Sequence, residues 1–458
     1  MNQPDPNKSF HISRRAFISH CTLAAAATGL PLWFVERNSA MAADAATNAP
    51  SLPAPNDRPG VALIGCGGQG TYDALNASGY GDILAVCDVN QEHLDAAAQK
   101  FAKDGKSPAK YTDFRKVMER DDIHIIVQAT PDHWHTLVNI AAASAKKDIY
   151  GEKPLTLTVD EGRHVIKAVR KNKIIFQTGT QQRSDRRFHL ACELVRNGRI
   201  GKLQEVNVWV PGGLRAGPFP TGQVPPATLN FDFWLGQAPQ VGYMHERCDN
   251  TFRWWWDYAG GPVTDWGAHH NDIARWGIGL DGPVGVEARV ITPPLPDGYT
   301  TPGEFEAILT WGNGVKQIVR TTTADSPYGA VLDENGQRNG IKFIGQDGWI
   351  WVNRDGISAS DRELLHAPLP ANAVKLEVSK DHMGNFFECV RSRQDPIARV
   401  ETGHCSACIG HLIIIALRTG LKLQWDSENE IFTGEGAATA NQHLAREMRR
   451  PYDYGFVG

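Results

Sequence analysis

Cysteine is scarce in this chain, eight in 458 residues, and its placement argues against a disulfide framework. Cys21 lies in an N-terminal stretch that reads as a removable leader, which leaves an odd number. Cys405 and Cys408 form a lone C-x-x-C in an apolar, helix-patterned segment. A zinc site of the usual kind needs further ligands at matching spacing, so these two read as packing cysteines. Clusters of lysine or arginine are also missing, and the formal charge is only −4. That argues against nucleic acid as a partner and against binding to anionic membranes. Beyond the leader the best apolar run, Cys408 to Leu417, is interrupted by His411, so it does not read as a bilayer span. No repeat or low-complexity tract follows residue 59.

The leader itself is the first positive feature. Ser13-Arg14-Arg15-Ala16-Phe17-Ile18 precedes an alanine-rich apolar stretch to Phe34, and Ala40-Met41-Ala42 offers an A-x-A cleavage site. This is a signal-peptide layout, and its paired arginines resemble the twin-arginine export signal. Residues 1–42 are therefore expected to direct export to the periplasm through the twin-arginine machinery, with cleavage near Ala42. Residues 43–59, rich in Ala, Pro and Asn, read as a linker.

The length suggests two domains. From Gly60, strand and helix patterns alternate: Val61–Ile64, Thr71–Ala77, Ile83–Cys87, Gln91–Lys103, Phe114–Arg120, Ile123–Ala129, His135–Ala145 and Asp148–Gly151. Such alternation predicts an α/β fold with a doubly wound parallel sheet over residues 60–180. Beyond it, strand-like runs at Leu203–Val210, Val286–Ile291, Glu304–Trp311 and Val315–Thr321 predict a second, sheet-rich domain over residues 181–458. Helical patterns return at His382–Arg393 and His404–Thr419.

Gly65-Cys66-Gly67-Gly68-Gln69-Gly70 joins the first strand to the first helix, with Gly65, Gly67 and Gly70 in the three positions of G-x-G-x-x-G. Those glycines permit a tight turn, close backbone approach to a pyrophosphate and close packing of helix on strand. Asp88 follows 23 residues after Gly65, at the end of the next strand. A carboxylate there accepts hydrogen bonds from ribose hydroxyls and repels a 2′-phosphate, which favours NAD over NADP.

Three further stretches stand in a telling order. They are Ala129-Thr130-Pro131-Asp132-His133-Trp134-His135, Gly151-Glu152-Lys153-Pro154, and the run from Gly260 to Asp272 containing Asp265, His269, His270 and Asp272. Together with the glycine loop they resemble the Gfo/Idh/MocA oxidoreductases, with their T-P-x-x-x-H, E-K-P and D-x-x-x-H-x-x-D motifs. The resemblance runs from about Gly60 to the C-terminus. It implies an N-terminal Rossmann domain and a C-terminal α/β domain with an open, mainly antiparallel sheet that often makes an oligomer contact, hence a homodimer or homotetramer. It also implies catalysis without a metal. Lys153 matches the family's active-site lysine, and Asp265 and His269 match the pair that holds the substrate alcohol. Gly65, Gly67, Gln69, Gly70, Asp88, Thr130, His135, Glu152 and Lys153 are the expected cofactor-binding residues.

The chemistry agrees with that assignment. Hydride transfer from a secondary alcohol needs a base for the hydroxyl proton and a cation beside the developing alkoxide. Lysine and histidine suit those tasks, and a lysine buried beside a cationic nicotinamide should lose proton affinity. On a helix Asp265, His269 and Asp272 would share a face, with His270 about 100° away; Asp265 also suits the helix N-cap. Seven of 13 tryptophans fall between Trp209 and Trp276, and flat apolar faces suit pyranose rings. Trp256, His270 and Asp272 are accordingly expected at the substrate. Three functions follow: an oxidoreductase for a secondary alcohol of a sugar, glycoside or cyclitol, an NAD-dependent glycosidase acting by transient oxidation and elimination, or a non-catalytic sugar or nucleotide sensor.

Overall fold

The computed structural model describes residues 14–39, 58–322 and 339–456. Its first sheet contains β1 (Gly60–Ile64), β2 (Asp82–Cys87), β3 (Ala109–Tyr111), β4 (Ile125–Gln128), β5 (Asp148–Gly151) and β6 (Phe176–Thr178). They lie in the order β3-β2-β1-β4-β5-β6, and all pair in parallel. Every residue of β1, β4 and β5 is buried, because helices cover both faces of the sheet. One covering helix comes from far along the chain: His382–Ser392 places Met383, Phe386 and Phe387 in one cluster with Val61, Leu63 and Val127. Strand order reverses between β1 and β4, and sheets of this kind bind ligands in the crevice beyond the strand ends at that point.

The second sheet has nine strands: β7 (Leu203–Pro211), β8 (Pro283–Thr292), β9 (Glu304–Trp311), β10 (Lys316–Thr322), β11 (Gly340–Gly345), β12 (Trp349–Val352), β13 (Ile357–Ala359), β14 (Leu423–Asp426) and β15 (Ile431–Thr433). Their order is β13-β12-β11-β7-β10-β9-β8-β14-β15. Only β7 and β10 pair in parallel; the other pairings are antiparallel. The fold class read from the sequence is thus present in both halves. Helices Arg186–Arg196, Trp266–Ile278 and Val400–Thr419 cover the sheet, closing a core that includes Phe305, Trp311, Phe343, Ile409 and Leu412. By length and composition Val400–Thr419 could cross a membrane, but 72% of its most apolar window is buried. Its apolarity serves both cores, since Val400 and Ala407 join the Rossmann cluster while Ile409 and Leu412 join the other.

The described N-terminal residues 14–39 have structure of their own. Helix Arg14–Thr28 ends at Gly29, and residues 32–39 form a second helix. Phe34 and Val35 are fully buried against the second domain. Phe34 packs beside the His189 ring, Trp33 Nε1 donates to the Leu365 carbonyl at 3.2 Å, and Arg37 pairs with Glu193. The expected cleavage site at Ala40-Met41-Ala42 and residues 43–57 of the expected linker lie outside the described residues.

Candidate active site

A cavity of about 1130 Å³ opens between the glycine loop, the end of β4, the E-K-P turn and the start of helix Trp266–Ile278. Ligand cavities commonly measure roughly 300–1,000 Å³, so this one has room for a dinucleotide and a small substrate together.

The cofactor end follows from the glycines. Gly65 has φ +90°, and a Cβ there would lie 2.5 Å from the Ala129 carbonyl; one on Gly70 would lie 2.0 Å from the Gly65 carbonyl. Gly67 and Gly68 face open space. Helix Gly68–Ala77 has no side-chain cap, so its first amides meet the cavity as an anion-binding end. Asp88 Oδ2 accepts from Cys66 N at 2.7 Å and Oδ1 from Asn90 N at 2.8 Å. It thereby fixes the loop while still lining the cavity, and burial raises its carboxyl pKa. These features fit NAD, with the glycine loop at the pyrophosphate and Asp88 at the ribose. A strap from the second domain crosses beside Asp88: Gln91 N donates to the Thr228 carbonyl at 2.8 Å and Asn230 N to the Val89 carbonyl at 3.0 Å.

Other cofactor residues are held by backbone contacts. His135 points one ring nitrogen at the Pro154 carbonyl (2.6 Å) and the other at the Thr130 carbonyl (2.9 Å), tying the T-P turn to the E-K-P turn. Burial lowers its pKa. Gln69 lines the cavity but turns its amide back onto Asp73, at 3.0 Å. Glu152 accepts from Gln181 Nε2 at 3.0 Å and from Lys153 N at 3.2 Å, and burial raises its pKa.

At the reacting end Lys153 Nζ donates to Asp265 Oδ1 at 2.9 Å, and Arg253 Nε approaches the same oxygen at 3.4 Å. Asp265 occupies the N-cap position of Trp266–Ile278 but makes no cap hydrogen bond, because its carboxylate is turned to these cations. Burial pulls the Lys153 pKa down, yet Asp265 and then Glu152 outweigh it and the net shift is upward. In the protein by itself these carboxylates hold Lys153 as an ammonium. His269 lines the same cavity, and burial followed by the Lys153 charge drives its pKa well below the usual value. It is a neutral imidazole, and its Nδ1 is buried without a partner among the described residues. The set can present a cation to an alkoxide and a neutral base to a hydroxyl.

Three expected substrate contacts do not reach the cavity. Asp272 is fully buried, bridged to Arg183 at 2.7 and 2.8 Å and to Ser406 Oγ at 2.6 Å. Only the first turn of its helix meets the cavity, so a residue one turn further lies within the protein. That also removes Asp272 from any metal cluster with Asp265 and His269. His270 is buried, bonds Asn339 Oδ1 at 3.2 Å, and has its pKa pushed to about 3 by burial. Trp256 is half-buried outside the cavity, whereas Trp134, Trp234 and Trp266 line it. At Cys408, the thiol lies with His404 and Glu430 within 4.8 Å, but Glu430 is already paired to both Arg163 and His404.

The sequence reading missed several lining residues. Asp132, inside a quoted motif, is buried with its pKa raised to about 7 by desolvation, against the pull of Lys153 and Arg253. Arg253 and Gln182 carry no motif. Arg354 arrives from the loop after β12, 201 positions beyond Lys153, where no spacing could reveal it.

Comparison with known proteins bears on both halves. Residues 60–180 match the model for an oxidoreductase family, NAD-binding Rossmann fold, and residues 219–454 match the family's C-terminal alpha/beta domain. A myo-inositol 2-dehydrogenase from Thermotoga maritima is 31% identical over 144 residues, 31% of this chain and 42% of its own length. A glycosyl hydrolase family 109 protein from Shewanella baltica is 30% identical over 214 residues, 42% of this chain and 44% of its own length. The chain thus aligns with less than half the length of either. The WlbA dehydrogenase from Bordetella pertussis, solved with NADH and UDP-GlcNAcA, superposes with a TM-score of 0.60 at 18% identity, covering 81% of this chain and 99% of that one.

Proposed function

The chain belongs to the Gfo/Idh/MocA oxidoreductase family, and on that premise we propose that it oxidises a secondary alcohol of a sugar, glycoside or cyclitol. The observation that carries this reading is the pairing of Lys153 with Asp265 at 2.9 Å beside a neutral His269, in one cavity with the glycine loop. Bound NAD would supply the hydride acceptor. Lys153 and Asp265 hold the substrate hydroxyl, the His269 imidazole takes its proton, and the ammonium of Lys153 stabilises the alkoxide.

The cofactor is proposed to stay bound through turnover. Support comes from the strap at Thr228 and Asn230, whose backbone bonds to Gln91 and Val89 tie the second domain to the first beside Asp88. Retention also suits an exported protein, because twin-arginine export carries folded chains and free NAD is cytoplasmic. That reading rests on Arg14 and Arg15, and loss of periplasmic protein after changing both to lysine tests it. Removing residues 1–42 would free the surface at His189, Glu193 and Leu365 that the leader covers.

The glycosidase reading keeps a place because of the family 109 relative. Both are tested by denaturing the purified protein, identifying the released nucleotide, and offering sugars and aryl glycosides. Accumulating reduced nucleotide supports net oxidation. Aglycone release without net nucleotide reduction supports the glycosidase, and bound sugar with neither outcome points to a sensor.

A further inference from the structure

We propose that Arg354 is a carboxylate-recognition residue and that the substrate is an acidic sugar or glycoside of the uronate type. This rests on the reading of the cavity as a sugar site. Three other cations of the cavity already have carboxylate partners: Lys153 and Arg253 share Asp265, at 2.9 and 3.4 Å, and Arg187 pairs with Asp185 at 2.6 Å. Among the described residues Arg354 has none within ion-pair distance, although it lines the same cavity.

Its guanidinium is nevertheless held in place. One face stacks on Trp266, 4.6 Å from the ring centre. With the Gln182 amide oriented to suit both neighbours, its oxygen accepts from Arg354 Nε at 3.1 Å and its nitrogen donates to the His269 carbonyl at 3.0 Å. The loop is set by Asn353, whose Oδ1 accepts from Asp355 N and Gly356 N, each at 2.9 Å. With one face and Nε engaged, Nη1 and Nη2 remain as the parallel donor pair that matches a planar carboxylate. Gln182 links that fork to the backbone of His269, so the anion is registered against the proton-accepting residue. Glu152, Asp265 and Asp185 act on Arg354 only from beyond ion-pair distance, so a neutral sugar would leave the two donors of the fork unmatched.

The test titrates the full NADH-loaded protein calorimetrically with methyl β-D-glucuronide, methyl β-D-glucoside and glucose 6-phosphate. The glucuronide should bind at least about tenfold more tightly than the glucoside. Arg354→Gln should bring that ratio to about one, and Arg354→Lys should restore only part of it, with NADH content and melting temperature unchanged in both. Equal affinities in the wild type, no sugar binding, or a preference that survives R354Q would overturn the proposal. A stronger Arg354-dependent preference for the phosphate would overturn the carboxylate assignment. Redox is read separately on the protein loaded with oxidised NAD: Arg354-dependent glucuronide binding without reduction of that nucleotide would overturn the oxidoreductase reading for that sugar and leave the carboxylate site standing. Arg354-independent oxidation of the neutral sugar would do the reverse.

Discussion

Replacing Asp265 with leucine should destabilise the protein more than replacing Lys153 with methionine, and the two changes together should cost less than their sum. Lys153 Nζ and Arg253 Nε lie 2.9 and 3.4 Å from the same Asp265 oxygen, and the Lys153 and Asp265 side chains are only 14% and 22% exposed. D265L strips two cations of one carboxylate, whereas K153M leaves Asp265 with Arg253. Breaking a buried pair from one side costs about 3–5 kcal/mol. We expect D265L near the top of that range and K153M near or below its foot. Replacing both ends with apolar groups is often close to neutral, so K153M/D265L should recover most of the loss, the part due to Arg253 excepted. The pH dependence follows in sign. The Asp265 pKa is lowered and the Lys153 pKa raised, so the pair's contribution is full from above ordinary carboxylate values to below ordinary lysine values. It is lost as pH falls through the depressed Asp265 pKa, or rises through the elevated Lys153 pKa. Guanidinium unfolding of nucleotide-free samples gives the three energies, since bound nucleotide would add stability by mass action. Additive single costs would refute the coupling, and K153M costing more than D265L would refute the shared-carboxylate geometry.

His269→Ala should lower single-turnover reduction of bound nucleotide by about 10² or more with nucleotide content unchanged; a near-normal rate would remove His269 as the base. Asp88→Ser should weaken NAD and relax discrimination against NADP, and since Asp88 also anchors Cys66 N, NADP affinity should rise less than NAD affinity falls in equilibrium titrations. Asp132 holds a proton in the folded state up to about pH 7 that the unfolded chain releases near its ordinary carboxylate value. Its contribution to stability is thus full below that value and lost as pH rises through 7. Asp132→Asn should therefore gain on wild type between pH 5 and pH 8, by about 3 kcal/mol for the roughly two pH units from 5 to the folded value near 7, and parallel unfolding curves at both pH values would contradict this.

Much of the fold was legible because its signals are local. Buried parallel strands read as apolar runs, and β5 and β9 end where their patterns do, at Asp148–Gly151 and Glu304–Trp311. The glycine loop, Asp88, Lys153, Asp265 and His269, which line one cavity, were legible because each belongs to a short local pattern, a glycine loop with its spaced carboxylate or a stretch that resembles a family motif. Tertiary structure alone decided which residue one turn further would turn inward. Asp272 and His270 stand within the motif in sequence, yet Arg183, Ser406 and Asn339 claim polar atoms of theirs. It also decided protonation. Lys153 keeps its charge because a carboxylate 112 positions away lies 2.9 Å from it, and Asp132 resists ionisation because desolvation outweighs the cations around it. Arg354 belongs wholly to the tertiary structure, since its meaning comes from Trp266 beneath it and Gln182 beside it. Residue type and order travel with the chain; burial and charge partners are properties of the space into which it folds.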